Sequence, residues 1–161
     1  MAKLLNTALA ALALGGLAIS APAVAQYKQK ISNNPAKCRG SGPAVKVTIS
    51  GVKASSGTVR VQSYRGTKAD WLKKGRWLSR IEVPAKAGTM SFCMPVPSNG
   101  TYGIAVRHDV NGNRKTDIFS DGGGMSNNPS INVFNLGKPS YKKTAFQVRG
   151  VKSISIRMRY R

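Results

Sequence analysis

Alternation of apolar and polar residues with period two is the feature that most constrains this chain. From Ala44 onward, Val45, Val47 and Ile49 alternate with Lys46, Thr48 and Ser50. Successive side chains of an extended strand point to opposite faces, so such a run buries one face and wets the other. After Gly51 and Gly57 the stretch Thr58 to Tyr64 repeats the pattern with Val59 and Val61. Further strands are expected at Leu78–Val83, Thr89–Val96, Thr101–Arg107, Thr144–Val148 and Val151–Tyr160. Seven short strands predict an all-β domain over residues 44–161, a seven-stranded antiparallel sandwich of the immunoglobulin or transthyretin type. Ser98-Asn99-Gly100 and Arg149-Gly150 suit tight hairpin connections, because Gly and Asn tolerate positive φ. Only Thr67 to Leu78 looks helical, and Gly75 interrupts it. A short helical turn there would lay Trp71 and Leu72 over an open end of the sheets; the competing use of these aromatics is a ligand platform. At 161 residues the chain has room for one domain, which excludes an enzyme with a separate cofactor-binding lobe.

The first 25 residues have a different character. Lys3 precedes an uncharged run from Leu4 to Ile19, followed by Pro22 and Ala23-Val24-Ala25. This is the pattern of a secretory signal peptide over residues 1–25, and the run is too short and wrongly flanked for a membrane anchor. The protein is therefore expected in the periplasm or secreted, with an irregular N-terminal arm over residues 26–43. In an oxidising compartment a lone pair of cysteines reads as a disulfide. Cys38 and Cys93 are thus expected to staple the arm to the domain, and closing so long a loop stabilises a fold by roughly 4 kcal/mol in the chain-entropy model.

With 26 Lys and Arg against 5 Asp and Glu, the formal net charge is +21. Export separates such a protein from cytoplasmic nucleic acid, which leaves anionic envelope polymers or a membrane surface as partners. Arg157, Arg159 and Arg161 alternate with Ile156, Met158 and Tyr160; on one strand their guanidinium groups would share a face, and they are the candidate anion-binding residues. A purely solubilising role is the competing view.

The excursion from Arg107 to Tyr141 is too long for an ordinary connection, and loops of that size are commonly functional. It holds His108, the only histidine, and Asp109, Asp117 and Asp121, three of the five acids. Asp109, Asn111, Asn113 and Asp117 follow a D-x-N-x-N-x-x-x-D spacing, the kind of alternating oxygen set that wraps calcium. Arg114 stands where an EF-hand needs Gly, and Ser120 where it needs a bidentate Glu. Two readings stay open: a calcium loop, or side chains that bond their own backbone as Asx-turns, with Asn111-Gly112 and Gly122-Gly123-Gly124 as turns. No other cofactor is expected. His108 beside Asp109 lacks a nucleophile motif, a second histidine or a paired Glu, so the chain is read as a non-enzyme.

Three segments together resemble the bacterial family called domain of unknown function 2141. They are His108-Asp109-Val110-Asn111-Gly112-Asn113, then Gly122-Gly123-Gly124-Met125-Ser126-Asn127-Asn128, and finally Ile154-Ser155-Ile156-Arg157-Met158-Arg159-Tyr160. The resemblance runs from about Val45 to Tyr160. It implies an exported β-sandwich without an established activity and marks the Asp/Asn loop as a family feature. Arg114 departs from the family's usual Gly.

Overall fold

The computed structural model describes residues 26–117, 119–131 and 137–161. The signal peptide expected over residues 1–25 lies outside these. Nine strands occur among the described residues: β1 (Gln29–Lys30), β2 (Ala44–Val52), β3 (Thr58–Arg65), β4 (Trp77–Pro84), β5 (Gly88–Pro95), β6 (Gly100–Asp109), β7 (Gly122–Met125), β8 (Phe146–Val148) and β9 (Val151–Arg157). A 3-10 turn covers Pro35–Cys38, and one short helix, α1, covers Tyr141–Thr144.

The strands form two sheets. The larger runs β1-β4-β3-β6, with β7 and β8 pairing successive parts of the free edge of β6, and the smaller runs β5-β2-β9. Alternation explains why the sheets meet. Val45, Val47 and Ile49 of β2 and Phe92 and Met94 of β5 face Val59 and Val61 of β3, Ile81 of β4, and Ile104 and Val106 of β6 in one buried cluster. Each such side chain contributes about 1.5–3 kcal/mol on burial, so the two inner faces supply most of the driving force for closing the layers.

All seven expected strands occur, but the arrangement departs from the expected one. Two strands, β1 and β7, come in addition. Pairing is not wholly antiparallel: β2 runs parallel to β9 along Ala44↔Val151 to Ser50↔Arg157, and β1 runs parallel to β4. The segments at Asn99 and Gly150 are not hairpins, because β5 and β6 lie in different sheets, as do β8 and β9. Turn residues signal a change of direction; they do not say which layer receives the chain. The last strand ends at Arg157, and the chain then crosses layers so that Arg159 bridges Gly123 of β7.

Residues 67–76 carry a single helical turn at Thr67 to Trp71, and it does not extend into a helix. The Trp71 N–H reaches the Thr67 carbonyl at 3.0 Å, but Leu72 adopts φ 54° and Gly75 φ 74°. A left-handed residue cannot continue a right-handed helix. Trp71 lies over the outer face of the larger sheet, where Gly103 admits it: a Cβ there would stand 2.6 Å from the Trp71 ring. The Trp71 indole N–H donates to the Pro139 carbonyl at 2.8 Å, tying these turns to the end of the excursion.

The N-terminal arm is more ordered than its composition suggests. Cys38 and Cys93 are joined by a disulfide. Asn33 imitates a strand partner on the edge of β5, accepting the Cys93 N–H and donating to the Ser91 carbonyl, both at 3.0 Å. Tyr27 donates its hydroxyl to Asp70, which also accepts from Thr67 Oγ1 and Arg76 Nε. Burial alone would raise the Asp70 carboxyl, but these three donors and the Arg76 charge hold it below its ordinary value.

Candidate anion-binding cavity

The alternation that sends Val59, Val61 and Val106 inward sends their neighbours to the outer face of the larger sheet. Register opposes Arg60 of β3 to Glu82 of β4 on one side and to Arg107 of β6 on the other. Gln62, one step along that face, opposes Arg80 of β4 and Ala105 of β6. Three arginines from three adjacent strands therefore cluster on one face. Lys30 of β1, Arg114, Asp109 and Glu82 join them around a cavity of about 470 Å³. Five cationic and two anionic side chains line it, giving a local charge of +3.

Those charges are unevenly neutralised. Arg60 donates from Nε and Nη2 to one Glu82 oxygen, each at 2.6 Å. Arg107 donates to Asp109 Oδ2 at 3.2 Å and to Thr116 Oγ1 at 3.0 Å. Arg80 has less: its Nη1 stands 4.0 Å from Glu82, and its guanidinium carbon lies over the Trp77 ring, 4.2 Å from the centroid. Among the described residues Arg80 makes no side-chain hydrogen bond, and its Nε, like that of Arg107, is buried without a partner. Burial, followed by the charges of Arg60 and Arg107, pulls the Arg80 pKa below its ordinary value, against the opposing pull of Glu82 and Tyr64. A cation packed against an indole, whose one ion pair among the described residues is the 4.0 Å contact to a carboxylate that Arg60 also engages, is an arrangement that an anion would relieve.

The excursion builds the rim of this cavity. Asp109, buried at the end of β6, accepts the Arg114 N–H at 2.8 Å, while its Oδ1 is buried with no hydrogen-bond partner among the described residues. Asn111 and Asn113 accept the N–H groups of Asn113 and Lys115, closing two Asx-turns, and both donate their amides to Asp117 Oδ2. These two donors are the main reason the Asp117 carboxyl is pulled below its usual range. Asp121 accepts the N–H groups of Val110 and Asp117 and so ties the two ends of the loop. The four residues of the calcium spacing are thus brought together, Asp109, Asn111 and Asn113 around backbone N–H groups and Asp117 around the two asparagine amides, with Arg114 at φ 64° turning the chain.

His108 is fully buried. Its Nε2 is 2.8 Å from the Ser56 carbonyl and its Nδ1 2.7 Å from the Tyr160 hydroxyl, which accepts the Lys53 N–H at 3.0 Å. The carbonyl requires a proton on Nε2, and the Tyr160 hydroxyl, already an acceptor, donates to Nδ1. Both ring nitrogens are thereby spent on structure, Nδ1 holding the excursion's root to the extension of β9 and Nε2 holding it to the β2–β3 connection.

The glycine stretch expected to form a turn is instead strand β7. Two of its glycines are required by packing: a Cβ on Gly124 would stand 2.7 Å from Ile156 Cγ2, and one on Gly122 would overlap the Tyr160 ring. Beyond it Asn128, at φ 49°, donates to the Ser155 carbonyl and accepts the Arg157 N–H, clamping the excursion to β9. Of the three candidate anion-binding arginines, Arg157 is exposed on β9. Arg159 donates its guanidinium to the carbonyls of Asn128 and Pro129, so it fastens this clamp. Arg159 and Arg161 line a second hollow that shares Arg60 and Arg107 with the cavity. The three do not form one row, because the chain changes layer between Arg157 and Arg159. Arg60, Arg80 and Arg107 escaped sequence reasoning, although each holds the outward place of a strand that was recognised.

Fold and site together define a two-sheet β domain carrying a cationic cavity on the outer face of its larger sheet. The family model described as "Uncharacterized protein conserved in bacteria (DUF2141)" matches residues 47–156, and the chain belongs to that family. The searches of curated proteins and of solved structures returned no match.

Proposed function

We propose that this chain is an exported, non-enzymatic module that binds an anionic partner through the Arg60–Arg80–Arg107 cavity. The observation that carries the reading is Arg80, packed over the Trp77 ring with no side-chain hydrogen bond among the described residues, in a cavity of net charge +3. A signal peptide over residues 1–25 and a net charge of +21 favour a periplasmic or secreted setting, with envelope polymers or a membrane surface as the source of the anion. The non-enzymatic reading is supported by His108, whose ring nitrogens are both committed to structural bonds. The turn reading is supported over calcium by the backbone N–H groups that the side-chain oxygens of Asp109, Asn111 and Asn113 accept and by the two asparagine amides that donate to Asp117 Oδ2. Of the two sandwich types expected, the immunoglobulin order would set the first, second, fifth and fourth strands in one sheet. Here the seven sequence-legible strands divide as fourth-first-seventh and third-second-fifth-sixth, which favours the transthyretin-like alternative.

The test is binding to polyphosphate as a probe polymer at two salt concentrations. Arg80→Gln should weaken binding and flatten its salt dependence, whereas Arg157→Gln should leave both close to wild type. Equal losses from the two variants would remove the cavity as the site.

A further inference from the structure

The outer face of the larger sheet is charged at one end and apolar at the other. One row across it reads Glu82, Arg60, Arg107 and Gly123; the next reads Arg80, Gln62, Ala105 and Met125; beyond these Trp77 opposes Tyr64. Tyr64, Trp71, Trp77 and Met125 form a second buried cluster, separate from the main core, with Leu72 and Ala105 packed against it. A hollow of about 640 Å³ opens above this cluster, with Tyr64, Leu72, Ala105 and Met125 on its apolar side, and it meets the cationic cavity at Arg60 and Arg107. Leu72 contributes to this wall from left-handed backbone at φ 54°, a conformation that a branched apolar side chain rarely adopts. Strain of that kind is retained where the surroundings hold it, often at ligand-binding surfaces.

From this juxtaposition we infer that the ligand is a small amphiphilic anion, its charged head among Arg60, Arg80 and Arg107 and its apolar body over Tyr64, Leu72, Ala105 and Met125. The inference rests on the anion-binding reading above and narrows it. An anion alone leaves the apolar hollow unused, and a neutral apolar molecule leaves Arg80 with only its 4.0 Å ion pair to Glu82 among the described residues. A molecule carrying both groups desolvates the hollow and the stacked guanidinium together, and pockets of this size suit small ligands with a few fixed polar contacts. A single-chain lipid and an aryl or alkyl acid share this chemistry.

The test compares four probes on the wild-type protein by calorimetry: dodecyl phosphate, phenyl phosphate, inorganic phosphate and dodecyl maltoside, each below its micelle concentration. Dodecyl phosphate should bind at least about tenfold more tightly than both inorganic phosphate and dodecyl maltoside. Phenyl phosphate binding as tightly as dodecyl phosphate would assign the hollow to a ring, and weaker binding would assign it to a chain. Ala105→Trp, which fills the hollow, should weaken dodecyl phosphate and leave inorganic phosphate unchanged, while Arg80→Gln should weaken both. Equal affinities for dodecyl and inorganic phosphate in the wild type would overturn the amphiphile while leaving the anion site standing. Failure of every phosphate to bind would overturn both.

Discussion

Replacing Tyr160 by Phe removes one oxygen atom, and the structure says what that oxygen does. The hydroxyl accepts the Lys53 N–H at 3.0 Å and meets His108 Nδ1 at 2.7 Å. Lys53 is exposed, so water replaces the lost acceptor there at little cost. His108 is fully buried, and stranding one of its nitrogens costs the desolvation of that group, about 1–3 kcal/mol. The edge-to-face packing of the two rings, with centroids 5.8 Å apart, survives in Phe and offsets none of this. Urea denaturation followed by circular dichroism should therefore show Tyr160→Phe less stable by about 1–3 kcal/mol, a midpoint shift on the order of 1 M. A double-mutant cycle sharpens the result. His108→Leu leaves the Ser56 carbonyl to water, and adding it to Tyr160→Phe should cost less than the sum of the single changes by at least about 0.5 kcal/mol. A Tyr160→Phe protein within about 0.3 kcal/mol of wild type would refute the reasoning, because the buried nitrogen would then not depend on Tyr160.

Three further outcomes are expected. Reduction of the Cys38–Cys93 disulfide, whose cysteines lie 55 residues apart, should lower stability by roughly 4 kcal/mol, and non-reducing peptide mapping should recover the two cysteines as one cross-linked species. Asp70 has its folded-state pKa below the ordinary 3.8, so its stabilising contribution is present above 3.8 and lost as pH falls through the lower folded value; Asp70→Asn should flatten the acid limb of a stability-against-pH curve, and an unchanged limb would show that its three donors do not favour the carboxylate. Asp109→Ala should destabilise by about 1–3 kcal/mol through the lost bonds to Arg107 and the Arg114 N–H, and calcium should leave the melting temperature of the wild type unmoved; a calcium-dependent rise abolished by this substitution would restore the metal reading.

Much of the fold was legible because its signal is local. Period-two alternation marks an inward face whatever the partner strand, so β2, β3 and β6 could be recognised from Val45, Val59 and Ile104 alone. Strand β7 was not legible, because a run of glycines carries no alternation; Tyr160 and Ile156 leave no room for side chains at Gly122 and Gly124. Strand β1 was hidden for a related reason: Gln29 and Lys30 are exposed and pair with β4 only because Tyr27, Asn33 and Cys38 fasten the arm. The arginine cavity was illegible for a third reason. Arg60, Arg80 and Arg107 are far apart in sequence, and only the register of three strands brings them together. Arg157, Arg159 and Arg161, adjacent in the pattern, are parted by a change of layer that no local signal announces.

The central claim is that the anion site lies on the outer face of the larger sheet. The most direct measurement is an NMR titration of the arginine Nε–H resonances with phenyl phosphate, each resonance assigned by single substitution to Gln. The account predicts saturable shifts at Arg80, Arg60 and Arg107, largest at Arg80, with Arg157 unmoved. Shifts confined to Arg157 and Arg161, or spread evenly over all arginines without saturation, would contradict it.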